Sequence, residues 1–203
     1  MGRGPFLVEV AWRVVCQFLR EWQEEPYRWE REVCVQTEIV KRIETVLRAL
    51  GCDTLRANYK NAISGFEGKQ VWSRVTCEPT LPYTWTDEKD YQCRPDIVIW
   101  DWINDPDAPP DLYGGVFPIL WCCEIKYSTF DCSLDVEKLR SLVRRGAIKY
   151  GCWIRMRLER ASEGDGIQWK RDEEESRVWI GDVRLPALPE DAKEKREPLE
   201  TAA

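Results

Sequence analysis

The sequence predicts a mixed α/β domain in which a central mixed β-sheet is flanked by helices. Two long segments with apolar residues at helical spacing come first, and a series of short apolar or alternating segments follows. One further helical pattern interrupts that series. The chain has 203 residues, 43% of them apolar and 33% charged, which is typical of a globular domain with one core.

Helical periodicity predicts the first two elements. We expect one helix over about 6–24 and a second over 27–51, with Pro26 at its start and Gly51 at its end. The predicted buried stripe of the second helix consists of Val35, Ile39, Ile43, Val46 and Leu50.

Strands are predicted on both sides of a third helix, which is expected over 133–146. The strand candidates are 53–59, 72–79, 95–101 and 118–127 before that helix, then 148–159 and a closing hairpin of 168–172 and 176–185. Residues 102–115 are rich in Pro, Asp and Gly and predict an exposed loop. The chain then divides into an N-terminal helix (1–25), a main domain (26–185) and a charged tail (186–203) that we expect to be disordered.

The charge distribution bears on the class of partner. The net charge is −6, but 13 acids and 8 bases in 159–203 account for −5 of it, which leaves the rest at −1. A basic run over 136–158 is compatible with a polyanionic substrate, although such a run is often only a solvated face. The candidate phosphate contacts are Arg140, Arg144, Arg145, Arg155 and Arg157.

The cysteines and the N-terminus favour a cytoplasmic protein. The nine cysteines include no Cys-x-x-Cys pair and histidine is absent, so buried free thiols are expected rather than a zinc site. No apolar run approaches the roughly 20 residues that span a bilayer. Glu9 and Arg13 interrupt the first apolar segment at helical spacing, which argues against a signal peptide.

Charged residues in two of the apolar strands predict a site. Asp96 opens the strand 95–101, while Glu124 and Lys126 point to one face of the strand 118–127. If these strands are neighbours, the two carboxylates converge. Buried carboxylates repel unless a cation lies between them. That cation is either Lys126 on one acid with an arginine such as Arg94 on the other, or a hard metal ion, Mg²⁺ or Mn²⁺.

A further acid favours the metal. Glu32 lies about 20° from the centre of the buried stripe of the second helix, whereas Glu38 lies about 100° away and is expected to be solvated. Gln36, one turn after Glu32, is placed to orient it. Three carboxylates directed at one point are difficult to explain without a cation.

These residues together resemble the PD-(D/E)XK nuclease superfamily, whose fold is restriction-endonuclease-like. The resemblance covers about 27–158 and rests on Pro95-Asp96, on Glu124-Ile125-Lys126, on the upstream helix with Glu32 and on the downstream helix with the sequence DVEKLRSL. It implies a restriction-endonuclease-like core and Mg²⁺-dependent hydrolysis of phosphodiester bonds, most often in DNA.

The resemblance also implies a role for each residue. Asp96 and Glu124 would bind the metal, with the Ile125 carbonyl as a further ligand and Glu32 holding the metal directly or through water. Lys126 would orient or deprotonate the attacking water and stabilise charge on the phosphate. Its pKa is expected to fall beside the metal.

Two alternatives stay open. One is a nuclease-like domain that binds nucleic acid or a protein partner without cleaving. The other is a nuclease that works as a homodimer or is directed to its target by a partner protein. Trp100, Trp102, Trp121 and Trp153 are expected in the core, although stacking on unpaired bases is an alternative role. Glu78 is expected at a strand end on the surface.

Overall fold

The computed structural model describes residues 3–29, 31–60, 67–79, 94–101, 119–127 and 133–189. It is a mixed α/β structure, as predicted. The helices are α1 (Arg3–Glu24), α2 (Glu32–Ala49) and α3 (Ser133–Arg144), with a short 3₁₀ helix at Pro26–Trp29. The strands are β1 (Thr54–Lys60), β2 (Glu67–Ser73), β3 (Val75–Cys77), β4 (Ile97–Trp100), β5 (Ile119–Tyr127), β6 (Ile148–Arg160), β7 (Ile167–Arg171) and β8 (Val178–Leu185).

Six of these strands form one mixed sheet in the order β3-β4-β5-β6-β8-β7. The pairs β5–β6 and β6–β8 are parallel, and the other pairs are antiparallel. The β7–β8 pair is the closing hairpin that the sequence predicts. β1 and β2 form a separate antiparallel hairpin.

The helices cover both faces of the sheet. Residues of α1 and α2 share one core cluster with Cys123 and Ile125 of β5, whereas residues of α3 share a second cluster with Cys122. This division follows from the alternation of side chains along a strand. The central strands are therefore buried on both faces, and a charged side chain in them meets protein instead of water.

The predicted start of the second helix and the end of its buried stripe are wrong. The second helix begins at Glu32 and not at residue 27, because Arg31 has an extended backbone (φ −121°, ψ 145°) that separates it from the preceding 3₁₀ helix. Its stripe continues through the fully buried Leu47, while Val46 and Leu50 are 37% and 49% exposed. The buried apolar positions thus keep a spacing of four residues from Val35 to Leu47 instead of shortening to three after Ile43.

The predicted strand 72–79 is two strands, separated by a buried arginine. Arg74 is fully buried and donates to the carbonyls of Cys52 (2.6 Å), Thr54 (3.3 Å) and Trp100 (3.3 Å). Its guanidinium therefore joins the start of the β1–β2 hairpin to the large sheet, which nothing in the sequence pattern indicates.

None of the described helices is long and apolar enough to cross a membrane. The predicted loop 102–115, Trp102 and residues 190–203 of the predicted tail lie outside the described residues. The start of that tail is described: Arg160 donates to the carbonyl of Pro186 at 3.0 Å.

Candidate active site

The structure brings Asp96 and Glu124 together. β4 and β5 are antiparallel neighbours with Ile97 opposite Cys123, so the next pair along the register is Asp96 and Glu124. Asp96 is 6% exposed and Glu124 is 5% exposed. The Ile125 backbone N–H donates to Asp96 Oδ2 at 2.5 Å, which fixes the Asp96 carboxylate against β5. The two strands are therefore neighbours, and the two carboxylates lie together.

Burial raises the pKa of both carboxylates. Burial raises the pKa of Asp96 from its usual 3.8 to about 6, despite the hydrogen bond from Ile125 and the charge of Lys126. Burial and the neighbouring Asp96 raise the pKa of Glu124 well above its usual value. Glu124 Oε1 is buried and has no hydrogen-bond partner among the described residues. A proton or a cation is needed to neutralise this pair.

Other buried carboxylates in the described chain have a basic partner. Asp101 binds Lys149, Asp135 binds Lys138 at 2.9 Å, and Asp172 binds Arg140 at 2.6 Å. Asp96 and Glu124 form no ion pair with a described residue. The alternative in which Lys126 and Arg94 pair with these acids is not what the structure has, because Lys126 binds Glu32 and Arg94 binds Glu78.

Glu32 lies at the first position of α2 and contacts the end of β5. Its Oε1 accepts from Lys126 Nζ at 3.4 Å, and its Oε2 accepts from the Tyr127 N–H at 3.5 Å. Burial favours a lower pKa for Lys126, but the charges of Asp96, Glu32 and Glu124 outweigh burial and raise it. The lowered Lys126 pKa expected from the sequence would require a cation bound to those carboxylates, which would offset their negative charge.

The donor set at this point suits a hard cation. Carboxylate oxygens are the ligands that Mg²⁺ and Mn²⁺ prefer, and the unpaired Glu124 Oε1 is available to bind one. Among the described residues, no three acidic or cysteine side chains are close enough to hold a metal together. Asp96 and Glu124 would therefore share the ion with the Ile125 carbonyl or water, and Glu32, beyond Lys126, would act from a greater distance.

Gln36 is buried, at 2% exposed, as expected for a residue on the inner face of α2. Its Oε1 accepts from the Cys77 thiol at 3.9 Å. The role of Gln36 in orienting Glu32 stays a prediction. Glu78, at the end of β3, is exposed as expected, and its φ of 46° ends that strand.

The five candidate phosphate-binding arginines divide into two groups. On α3, the two arginines Arg140 and Arg144 contact three carboxylates. Arg140 binds Asp172, Glu137 and Glu174, and Arg144 binds Glu137 and Glu174. Arg145 donates to the Ser141 carbonyl at 3.3 Å. The positive charge that the sequence places on this helix is therefore neutralised locally.

The second group lies on the sheet and keeps a positive charge. Asp182 of β8 accepts from Arg157 at 2.5 Å, from Arg155 at 3.2 Å and from Arg184 at 3.3 Å, and Glu159 lies 3.6 Å from Arg157. Burial favours a higher pKa for Asp182, but the bond from Arg157 and the charge of Arg155 lower it. Three arginines against two carboxylates leave this cluster positive.

This arginine cluster is next to the acid pair. In the parallel register of β5 and β6, Lys126 is the partner of Arg155, and Arg155 in turn is the partner of Asp182 on β8. Neighbouring strands are about 4.8 Å apart and paired side chains share a face. The sequence run of bases did not reveal Asp182 or Arg184, although the alternation of β8 places both on one face.

The tryptophans that the sequence singled out are mainly core residues, as expected. Trp121 is 1% exposed, Trp153 is 4% exposed, and Trp100 is 8% exposed with its Nε1 donating to Thr76 at 3.1 Å. Trp153 Nε1 has no hydrogen-bond partner among the described residues.

Comparison of the chain with protein-family models, curated proteins and solved structures finds no match. Function is therefore inferred from the geometry of the site.

Proposed function

We propose that this protein is a metal-dependent nuclease, with a restriction-endonuclease-like core, that hydrolyses the phosphodiester bonds of DNA. The observation that carries the proposal is the buried pair Asp96 and Glu124, which has no basic partner in the described chain although other buried carboxylates have one. The fold supports it too, because the pair lies on neighbouring strands with Lys126 one step further on the same face.

The ligands would be Asp96, Glu124 and the Ile125 carbonyl. A bound Mg²⁺ or Mn²⁺ lowers the pKa of a coordinated water and neutralises phosphate oxygens. Asp96 is held in place by the Ile125 N–H at one oxygen, which leaves its other oxygen for the ion. The carboxylates of this pair are ionised more readily when a cation is present, so metal binding and deprotonation are coupled.

Lys126 would act in its charged form. In the metal-free protein its raised pKa keeps the amine protonated at neutral pH, and the protonated amine is suited to stabilise negative charge on the phosphate. Its present partner, Glu32, is 35% exposed at its side chain and is a weak competitor for the amine at 3.4 Å. An incoming phosphate would replace this contact, and Glu32 would then be free to hold a water in position.

The test is Mn²⁺-dependent cleavage of a pool of plasmid, linear duplex, single-stranded DNA and RNA. Asp96→Asn and Glu124→Gln preserve shape and remove charge, and we expect both to lose cleavage while remaining folded. Glu32→Gln is compared with Glu38→Gln, because Glu38 is on the same helix but binds Arg42 at 2.8 Å. We expect only Glu32→Gln to reduce the rate.

A protein that cuts no polynucleotide and gains no thermal stability from Mn²⁺ would refute the proposal. A protein that binds Mn²⁺ and nucleic acid through these residues but does not cleave would instead support the non-cleaving alternative.

A further inference from the structure

A groove lies on the same face of the sheet as the acid pair, between α3 and the strands β6, β8 and β7. Its volume is about 850 Å³, within the range of pockets that hold small organic ligands. We call it the β6–β8 groove, and its wall on the sheet consists of Trp153, Arg155, Gln168, Lys170, Ile180 and Asp182.

The groove is continuous with the candidate active site. Trp153 is the register partner of Glu124, and Arg155 is the register partner of Lys126. Because partners on neighbouring parallel strands are about 4.8 Å apart, the inner wall of the groove lies one strand from the acid pair. A ligand in the groove is therefore one strand away from a phosphate at Glu124 and Lys126.

Charge on the wall suits an anion. Arg155 and Asp182 line the groove, and Arg157 and Arg184 bind the same Asp182 from beside it, so the cluster keeps a positive charge. Lys170 is exposed on the outer strand. A phosphate beside these residues would meet guanidinium groups that other contacts already hold in place, which reduces the entropy cost of binding.

The inner part of the wall is formed by Ile180 and by the Arg155 guanidinium. Trp153 is 4% exposed and lies beneath Arg155, whose guanidinium carbon is 5.6 Å from the centre of the indole ring. The Arg155 side chain is 21% exposed, so the guanidinium presents a surface to the groove while the indole ring supports it from within. Guanidinium groups held in this way are stacking surfaces for nucleobases.

We infer that the β6–β8 groove binds one unpaired nucleotide of a DNA single strand, with its base against Ile180 and the Arg155 guanidinium and a flanking phosphate at Lys170. This inference rests on the proposed nuclease function and specifies its substrate as single-stranded DNA or a single-stranded segment of it. A base within a duplex is stacked on both faces and paired, so it does not enter a groove of this size.

The test measures binding and cleavage by the full chain. Binding of a fluorescent oligothymidylate of about 15 nucleotides, and of a blunt duplex of equal length, is followed by anisotropy with Ca²⁺ in place of Mn²⁺. Three variants are compared: Gln168→Trp fills the groove, Lys170→Gln removes a charge from its wall, and Arg171→Gln removes the next charge on the same strand. Arg171 lies over the Trp179 ring and does not line the groove.

We expect the single strand to bind at least about 10-fold more tightly than the duplex, since one stacked base contributes about that factor or more. Gln168→Trp should lose about 10-fold in affinity for the single strand and raise KM with kcat unchanged. Lys170→Gln should weaken binding about 3-fold, and Arg171→Gln should differ from the wild type by less than about 2-fold.

The outcomes separate the two proposals. Cleavage that depends on Mn²⁺ and Asp96 but is equal on duplex and single strand, with Gln168→Trp and Lys170→Gln behaving like Arg171→Gln, overturns the groove and leaves the nuclease. Binding of the single strand that Gln168→Trp abolishes, without cleavage of any polymer, supports the groove and overturns the nuclease. If Gln168→Trp does not fold, the comparison of Lys170→Gln with Arg171→Gln decides the question.

Discussion

Replacing Asp96 by asparagine should stabilise the metal-free protein. Burial raises the pKa of Asp96 from 3.8 to about 6. At pH 7 the ionised carboxylate is therefore less stable in the folded protein than in the unfolded chain. A shift of about two units corresponds to about 3 kcal/mol of lost stability above pH 6. Asparagine keeps an oxygen for the Ile125 N–H and carries no charge. Removing the charge therefore raises Tm by up to about 6–12 °C for a chain of this length.

The direction of the pH dependence provides a second check. Because the folded pKa is higher than the unfolded one, wild-type stability falls as the pH rises from about 4 through about 6, and Asp96→Asn removes this part of the fall. The two proteins should therefore have similar Tm near pH 4 and differ most above pH 6. The measurement is thermal unfolding in EDTA across this range, followed by circular dichroism.

Asp172→Asn is the matched control. Asp172 is 4% exposed, as deeply buried as Asp96, but Arg140 binds it through both carboxylate oxygens at 2.6 and 2.8 Å. Removing its charge leaves a guanidinium without its main partner, so Asp172→Asn should lower Tm at pH 7. If Asp96→Asn lowers Tm at pH 7 as Asp172→Asn does, Asp96 is stabilised by a cation in the protein and the reasoning about the site is wrong.

Three other predictions concern the site and its supports. Stabilisation by Mn²⁺ should be larger at pH 7.5 than at pH 5, because the protonated acids do not bind a cation; equal thermal shifts at both values would contradict binding at these carboxylates. Asp182→Asn should lower stability by about 1–3 kcal/mol at pH 7. This difference should shrink in acid, because the lowered pKa of Asp182 stabilises the folded state only at pH values at which the carboxylate is ionised. Urea unfolding at pH 7 and at pH 3 measures the two differences. Gly181→Ala should cost about 1–3 kcal/mol, since a Cβ there would lie 2.3 Å from the Trp169 ring; an unchanged urea midpoint would show that the ring moves freely.

The sequence predicted elements better than it predicted charge partners. The position of Asp96 and Glu124 within two strands followed from apolar segments and alternation, which are local signals. That the two strands are neighbours was only a condition of the prediction, and the structure supplies it. The start of α2 was misplaced because the extended conformation of Arg31 has no clear signal in composition. The neutralisation of Arg140 depends on Asp172, 32 residues away, and a contact at that separation is set by the packing of α3 against β6 and β8. A basic run in sequence therefore says little about the net charge of the surface it forms.

The pairing of the other buried acids answers the main objection to a functional site. If this fold simply tolerated unpaired buried carboxylates, the other buried acids of the described chain would also lack basic partners. Instead, Asp101, Asp135 and Asp172 each bind a lysine or an arginine. Among the described residues, Asp96 and Glu124 have only the Ile125 backbone N–H, which donates to Asp96, and a nearby lysine that binds another acid. Apolar residues would fill the same space at lower cost, so the unpaired acids are best explained by a cation that arrives from solution.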